Sequence, residues 1–493
     1  MGDALTTVTP ALETKLPNLV DYAPGLEAAF SIAHQEDSYL IEDIEGNIPE
    51  FVRGTYYLNG PALFSRAGMS YRHWLDGDGM VCALRFVGQR VYFTIRYVRT
   101  TKFLEEEKAG RFVFRTFGTA FPGDRLHRGV ALESPANVSV YSCRGVLLAF
   151  GEQSLPWQLD PETLETIGSF NFGGVLTDFT PFSAHPKFDV DTHEMHNFGV
   201  FFHPRSPKLY FYCFGSDGKL KIHTTLDLEL PISLHDFGLS ARYSIFYLAP
   251  YLMDVDRVTR GGQNVMSSLS WEPWRGSRLL ILARNTGKQA GSVPLDARYC
   301  LHVINCFEVD HHLYVDVIEL DRPLYEQYQP LPDMFTDVPT GGPVRLVIDT
   351  VKWVLVARHE LDYRLAPDFP AVNPERTGRP YRDFWMLGLS SAGRPGRKFF
   401  DQLVRAHWDE GRPSDVFQSA PNRYLGGEPL FIGDPRSEYG AVLCQEFDAN
   451  SGQAAFLIFD AFHVGKGPVA KLKLKRPIRL GFHASWSPLQ QQS

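Results

Sequence analysis

The chain has no run of about 18 consecutive apolar residues, the minimum that a membrane-spanning helix requires. Its first residues, Met1–Thr7, lack the basic segment and apolar run of a signal peptide. Lysine and arginine form no cluster and the net charge is −8, which excludes a nucleic-acid backbone as a favoured partner. These absences predict a cytoplasmic protein that would reach a lipid substrate by peripheral membrane association.

Cysteine is scarce, and no Cys-x-x-Cys motif occurs. The six cysteines are predicted to be reduced thiols, several of them within apolar strand-like runs. No glycine- or serine-rich linker divides the chain. The sequence therefore predicts one domain over residues 41–493, preceded by a lead-in over residues 1–40.

Aromatic residues are abundant, with 36 Phe, 21 Tyr and 8 Trp, which suits a protein rich in β-structure or one with an apolar ligand tunnel. Short strand-like runs broken by turns continue from Arg53 to Trp486, as where Lys208–Phe214 leads through a Gly-Ser-Asp-Gly turn into Leu220–Thr224. Helical periodicity is rare, and its best candidates are Asp321–Leu331 and Phe399–His407. This pattern predicts an all-β protein and favours a propeller over a sandwich, although no repeat gives the number of blades.

Four of the 16 histidines lie in largely apolar windows, where an imidazole needs a partner. They are His185, His235, His302 and His483. Imidazole is a common neutral ligand for transition metals, but separations of 50, 67 and 181 residues match no short metal-binding motif. The residues alone indicate only a distributed histidine site, and core packing explains each histidine taken singly. A local alternative, His193-Glu-Met-His196, follows a polar stretch and is predicted to be a solvated loop.

Several ordered motifs carry a resemblance to a known family. They are Arg53–Pro61, His73–Met80, Arg96–Thr100, Glu107–Gly110, Ser183–Pro186, Leu234–Phe237, Gly378–Tyr381, Gly427–Phe431 and His483–Trp486. Together they resemble the carotenoid cleavage oxygenase family, which includes carotenoid and apocarotenoid oxygenases and stilbene-cleaving relatives. The resemblance extends from about Ile41 to Trp486.

The resemblance implies a seven-bladed β-propeller with a cap of loops and short helices. It implies ferrous iron, Fe(2+), with O2 as co-substrate, and a metal held without carboxylate ligands by the four histidines that match: His185, His235, His302 and His483. It also implies carboxylates that bind the outer nitrogens of ligand histidines: Glu152, Asp368 and Glu428. Asp368 departs from the usual glutamate, and its reach is shorter by about 1.5 Å, which a bridging water or a small backbone shift would restore. Val138 stands where some members carry threonine.

The residue before Glu152 helps to predict the class of substrate. Stilbene-cleaving relatives have a lysine there that holds a phenol, whereas this chain has Gly151. We therefore expect a non-haem iron dioxygenase that cleaves a conjugated C=C bond of an apolar polyene, a carotenoid or apocarotenoid, into two carbonyl products. A stilbene- or phenylpropenoid-cleaving oxygenase, a retinoid-type isomerase and a metal-free propeller that acts as a binding module remain alternatives.

Two apolar segments resemble the membrane-facing mouth of the substrate tunnel in this family. The first contributes Phe112, Phe114, Phe117 and Phe121, among basic residues, and the second contributes Leu252 and Met253. Apolar area flanked by arginine is what an interfacial patch requires. Packing of buried strands explains both segments equally well.

Overall fold

The structure, a computed structural model, describes residues 20–32, 35–127, 129, 131–324, 331, 333, 335–409 and 411–489. In these ranges the chain forms seven sheets of four or five antiparallel strands, which we number as blades 1 to 7 in chain order. The arrangement is a seven-bladed β-propeller, as predicted.

The first four blades follow one another along the chain. Blade 1 contains β1 (Asp37–Ile41), β3 (Gly54–Leu63), β6 (Asp78–Val87), β7 (Arg90–Tyr97) and β34 (Ala484–Pro488). Blade 2 contains β8 (Ser139–Cys143), β9 (Val146–Phe150), β10 (Trp157–Leu159) and β11 (Thr166–Ser169). Blade 3 contains β12 (Lys187–Phe188), β13 (Met195–Phe201), β14 (Lys208–Phe214) and β15 (Leu220–Asp227). Blade 4 contains β16 (Gly238–Leu239), β17 (Tyr243–Leu248), β20 (Ser277–Ala283) and β21 (Gln289–Leu295).

Three further blades complete the ring. Blade 5 contains β22 (Val303–Val309), β23 (His312–Leu320), β24 (Gly341–Asp349) and β25 (Val354–Glu360). Blade 6 contains β26 (Asp368–Val372), β27 (Asp383–Gly388), β28 (Gln402–His407) and β29 (Asp415–Gln418). Blade 7 contains β30 (Arg423–Gly433), β31 (Gly440–Asp448), β32 (Gln453–Asp460), β33 (Pro468–Lys473) and β2 (Ile44–Gly46).

Short elements lie between the blade strands. The α-helices are α1 (Leu26–Phe30), α2 (Thr101–Ala109) and α3 (Val255–Thr259). Two small hairpins are β4 (Ser65–Arg66) with β5 (Met69–Ser70), and β18 (Tyr251–Met253) with β19 (Leu269–Trp271). Single 3-10 turns are Trp74–Asp76, Met266–Ser268, Pro273–Arg275, Pro374–Arg376 and Val464–Lys466.

The ring is closed by exchange of strands between the two ends of the chain. The C-terminal β34 pairs with β3 in blade 1, and the early β2 pairs with β33 in blade 7. Each end of the chain is thus hydrogen-bonded into a sheet built from the other end, which ties blades 1 and 7 together.

The burial pattern of the strands follows from the stacking of blades against one another. Every residue of the central strand β31 is buried, because both faces of that strand meet neighbouring structure. The outer strand β15 instead alternates between half-buried and exposed residues, the pattern of a strand with one solvated face.

The innermost strands of the seven blades surround the propeller axis. They are β8, β12, β16, β22, β26, β30 and β34. Hydrogen bonds join neighbouring inner segments, as where the Ser139 hydroxyl donates to the Ala184 carbonyl at 2.5 Å and the His483 amide donates to the Val138 carbonyl at 3.2 Å. The loop before β8 and the insertion between β17 and β20 contribute to a cap of loops, in which the Met266 amide donates to the Phe117 carbonyl at 2.9 Å.

The helix predicted at Phe399–His407 is wrong, because Gln402–His407 is strand β28. Its residues pair with β27 and bury Leu403 and Val404, so the contacts of the blade override a local helical pattern. The other predicted helix, Asp321–Leu331, falls largely on residues 325–330, outside the described ranges. Part of the predicted lead-in packs on the propeller, since the Tyr424 hydroxyl donates to the Pro24 carbonyl at 2.8 Å. No helix in the described residues is long and apolar enough to cross a bilayer.

Candidate metal centre

Each of the seven inner strands brings one side chain of the centre to the same end of the axis. Four of these are the predicted histidines, which lie one to three residues before β12, β16, β22 and β34, and two are the predicted carboxylates of β26 and β30. They are His185, His235, His302, His483, Asp368 and Glu428. The seventh position, directly before β8, is Val138.

The four histidine rings converge on one point, and the nearest ligand atoms of the four lie within 4.8 Å of one another. The Nε2 atom of His235 is 2.8 Å from that of His185 and 3.2 Å from that of His302. The ring of His483 lies 4.4 Å from the His185 ring and 5.0 Å from the His302 ring, measured between centroids. His185, His302 and His483 are buried, whereas the His235 side chain is 18% exposed.

Carboxylates occupy the outer nitrogens of three rings. Glu152 lies 2.5 Å from Nδ1 of His235, Asp368 2.5 Å from Nδ1 of His302, and Glu428 3.4 Å from Nδ1 of His483. A neutral ring that donates its Nδ1–H to a carboxylate presents a lone pair at Nε2. The lone pairs of several rings then face one another with no hydrogen-bond donor between them. A bound cation would accept these lone pairs. Imidazole nitrogens without thiolates suit iron, copper, nickel or zinc, so the donor set fits ferrous iron.

Burial favours the neutral form of two of the buried rings, His185 and His483. Burial, followed by the proximity of His235, holds the pKa of His185 well below its ordinary value of 6.5. Burial also lowers the pKa of His483, although Glu428 opposes the shift. Burial would lower the pKa of His302 too, but the adjacent Asp368 carboxylate outweighs it and raises that pKa. Neutral rings at ordinary pH are what metal binding requires.

The shorter Asp368 reaches its histidine directly. It lies at a β-bulge of β26, where the register with β27 shifts between Asp368 and Ala371 and Phe369 adopts a φ of 53°. A bulge re-aims the side chains of its strand, and this one accompanies the 2.5 Å contact with His302. Glu428 also lies in a bulged segment, between Gly426 and Leu430 of β30.

Sequence reasoning missed a clamp that joins three histidine segments. Asp236, directly after His235, pairs with Lys187 at 2.8 Å and accepts the backbone N–H of Val303 at 2.9 Å. Lys187 follows His185 by two residues, and Val303 follows His302. Burial would raise the pKa of Asp236, but Lys187 outweighs it and lowers that pKa. The adjacency of a lysine and an aspartate to two candidate ligands was the available signal.

The local alternative, His193-Glu-Met-His196, does not form a second histidine pair. His193 is exposed in a turn, whereas His196 is buried on β13, so the prediction of a solvated loop is wrong for His196. Its Nε2 atom lies 3.8 Å from Cys213 Sγ and 3.7 Å from Glu194. Lys221 and Arg284 already contact Glu194, at 2.7 and 3.8 Å, and their positive charge opposes a metal cation.

The residues predicted at a membrane-facing mouth divide into two groups. Phe112, Phe114 and Leu252 are buried, because they pack inside the protein; Phe112 stacks on Tyr71 with ring centroids 3.8 Å apart. These three offer no exposed surface to a bilayer. Any such patch depends on the half-buried residues of the set: Phe117, Phe121 and Met253.

The chain is similar to known proteins along nearly its whole length. The family model described as retinal pigment epithelial membrane protein (RPE65) matches residues 29–488. The apocarotenoid-15,15'-oxygenase of Synechocystis is 28% identical over 499 aligned residues, covering 96% of this chain and 98% of that protein. Isoeugenol monooxygenase of Pseudomonas nitroreducens is 27% identical, covering 90% of this chain and 94% of that protein. The crystal structure of cobalt-substituted Synechocystis apocarotenoid oxygenase superimposes with a TM-score of 0.86 at 27% identity, covering 94% of this chain and 98% of that one.

Proposed function

Because the chain belongs to the retinal pigment epithelial membrane protein (RPE65) family of carotenoid cleavage oxygenases, we propose that it is a non-haem iron dioxygenase acting on a carotenoid or apocarotenoid. In this reaction the conjugated C=C bond is broken and each of its carbons takes one atom of O2, giving two carbonyl products. The observation that carries the proposal is the convergence of four histidines, three of which have outer nitrogens that face carboxylates.

The four Nε2 atoms of the cage are proposed to hold the iron. Ferrous iron bound there would supply the one-electron chemistry by which O2 reacts with an alkene. Asp368 and its counterparts fix the tautomer and direction of the rings. The Phe369 ring lies 5.7 Å from His302 and 5.2 Å from His483 and keeps water from that side of the cage. The Glu152 side chain is 34% exposed, so the cage is open beside His235 and Glu152.

The surroundings of Gly151 support a polyene over a stilbene. A Cβ atom built on Gly151 would lie only 2.3 Å from Ser134 Oγ and 3.1 Å from the Ala136 nitrogen. A lysine at this position would require the Ser134 side chain to turn away and the backbone at Ala136 to shift by a few tenths of an ångström, so the loop of residues 134–136 is packed against a glycine. The similarity to isoeugenol monooxygenase keeps a phenylpropenoid as the second candidate substrate.

The test is a substrate panel offered to iron-loaded protein in 18O2. It contains carotenoids, apocarotenals and hydroxystilbenes, and products are identified by mass. We expect two aldehydes or ketones from a polyene, both labelled, and no product from the His302→Ala variant. The His311→Ala variant, changed at an exposed hairpin residue, is the matched control and should retain activity. Cleavage of hydroxystilbenes alone would favour the second candidate, and no cleavage at all would refute the proposal.

We also propose that the enzyme takes its substrate from lipid at the half-buried rings of Phe117 and Phe121. Replacing both by serine should weaken binding to liposomes, since one large apolar side chain contributes about 1.5–3 kcal/mol on burial. Phe201→Ser, which removes a 41% exposed ring on β13, is the control and should leave liposome binding unchanged. Unchanged binding by the folded double variant would refute the membrane proposal.

A further inference from the structure

A cavity with a volume of about 2250 Å³ lies inside the ring of inner strands, and we call it the axial cavity. All seven inner strands line it, as β8 does through Ser142, β26 through Val372 and β30 through Ile432. The cage histidines lie just before the inner strands, whereas the residues that follow them line the cavity, as Val303 does directly after His302. The axial cavity therefore extends along the propeller axis from the cage.

The outer end of the axial cavity is formed by loops of blades 6 and 7. Glu375 and Arg376, in the 3-10 turn after β26, line it and are exposed. Glu438 and Tyr439, in the turn between β30 and β31, also line it and are exposed. Because these residues face both solvent and the cavity, the axial cavity is open to water at this end.

Charged side chains line the inner end of the axial cavity as well. Glu428 lines the cavity, and its carboxylate lies 3.4 Å from Nδ1 of His483. Lys187 also lines the cavity, but its ammonium pairs with Asp236 at 2.8 Å, which balances the positive charge. A carboxylate that contacts a cage histidine is thus reached from solvent along a polar wall.

The opposite side of the cage is apolar. The residues that directly precede the four histidines are Ala184, Leu234, Leu301 and Phe482. The Phe369 ring stacks on that of Phe482 with centroids 6.3 Å apart. A divalent cation in water is strongly hydrated, and moving it past apolar side chains costs far more free energy than moving it along carboxylates and water. The apolar side suits a polyene, and the axial cavity suits a metal ion.

We propose that ferrous iron enters and leaves the histidine cage through the axial cavity, so that metal and substrate reach the cage from different sides. Glu428 is the last oxygen contact on this route, because it lines the cavity and contacts His483. Carboxylate oxygens bind divalent metal ions and replace part of their water. This inference rests on the proposed function, since it requires the four-histidine iron site, but it does not depend on the identity of the substrate.

Narrowing the axial cavity should slow the exchange of iron without changing its affinity. Ser142→Trp adds a large ring at a half-buried position of β8. Iron-loaded protein is mixed with a chelator, and the rate of iron loss should fall about tenfold or more, which corresponds to a barrier higher by about 1.4 kcal/mol. An obstructed route raises the barrier equally in both directions. The iron content at equilibrium with graded chelator concentrations should therefore equal that of wild type.

Two further variants define the effect. Val372→Trp narrows the axial cavity from blade 6 and should slow iron loss as Ser142→Trp does. Ser292→Trp places the same ring at a half-buried serine of the outer strand β21 and is the matched control. Its rate of iron loss should equal that of wild type.

The outcomes separate this inference from the proposed function. If purified wild type binds no iron, the proposed function itself fails. If wild type binds iron and both cavity variants lose it at the wild-type rate, the axial route is wrong, the iron site stands, and the opening beside Glu152 is favoured as the route. Should the tryptophan variants fail to fold, Ser142→Val and Ser142→Leu decide the matter. Rates that fall as the side chain grows support the route, and unchanged rates overturn it.

Discussion

Replacement of Asp368 by asparagine should release iron from the cage. The substitution keeps the shape of the side chain but removes the negative charge that accepts the Nδ1–H of His302 across 2.5 Å. A hydrogen bond to a charged group contributes about 1.5–3 kcal/mol, and a tenfold change corresponds to about 1.4 kcal/mol. The affinity for iron should therefore fall by about 10- to 100-fold, which agrees with the usual effect of changing a residue that orients a metal ligand.

Asp368→Glu tests the same contact by lengthening the side chain while keeping its charge. Asp368 is 8% exposed and already touches His302, so an added methylene has to be accommodated in packed surroundings. Overpacking of this kind costs about 1–3 kcal/mol. We expect the glutamate variant to fold, to retain iron better than the asparagine variant, and to melt at a lower temperature than wild type.

The assay is the iron content per protein after dialysis against graded concentrations of a chelator. Circular dichroism of each variant shows whether the fold is intact. His311→Ala serves as the control for a histidine-containing region without a metal role. If Asp368→Asn retains iron as wild type does, at every chelator concentration, the carboxylate does not orient His302 and the reasoning fails.

Three further predictions concern the clamp, the pH dependence and a buried charge cluster. Asp236→Asn should accelerate the loss of iron to a chelator, because it weakens the link between three histidine segments. Asp217→Asn, in an exposed turn, should leave the rate of iron loss unchanged. Equal rates in the two variants would contradict the role of Asp236 as a clamp. Burial lowers the pKa of His196 from 6.5 to about 4, so its neutral form stabilises the fold fully above pH 6.5 and that stability is lost as the pH falls from 6.5 towards 4. When the pH falls from 7.5 to 5.0, the free energy of unfolding measured with urea should decrease by about 2 kcal/mol less in His196→Phe than in wild type. An identical decrease in both proteins would contradict this prediction. Lys102→Met removes the cation that pairs with the carboxylates of Asp78 and Glu106, in a cluster whose side chains are 0% exposed. This substitution should lower the free energy of unfolding by about 3–5 kcal/mol. Lys108→Met, at the exposed end of the same helix, should change the free energy of unfolding little.

Strand-rich architecture and the convergence of four histidines both followed from the sequence, for different reasons. Alternating apolar runs and turn residues depend on local geometry, so strands such as Lys208–Phe214 were predicted with their bounds. The histidine set followed only from resemblance to a family. Tertiary contacts decide what local pattern does not, as in Gln402–His407, where pairing within blade 6 makes a strand of a helix-like segment. His196 was likewise misassigned, because a polar turn ends just before the buried strand that contains it.

The sequence positions of the residues at the metal centre are separated by a regular interval, which can be recognised only once the order of the blades is known. The residues contributed by successive inner strands stand at positions 138, 185, 235, 302, 368, 428 and 483, so neighbours are 47 to 67 residues apart. That interval is the length of one blade. The separation of 181 residues before His483, which matches no metal-binding motif, spans three blades and passes through Asp368 and Glu428.

Closure of the ring also brings the fourth histidine to the cage. His483 precedes β34, which completes blade 1 by pairing with β3, whereas the other three histidines belong to blades 3, 4 and 5. A cation held by all four nitrogens would connect blade 1 to blades 3, 4 and 5 across the axis. Because ligand binding to the folded state adds to stability, the metal would strengthen the same closure that the strand exchange begins. Because imidazole ligands are neutral when they bind a cation, the negative charge around the cation would lie on the outer carboxylates and not on the ligand atoms.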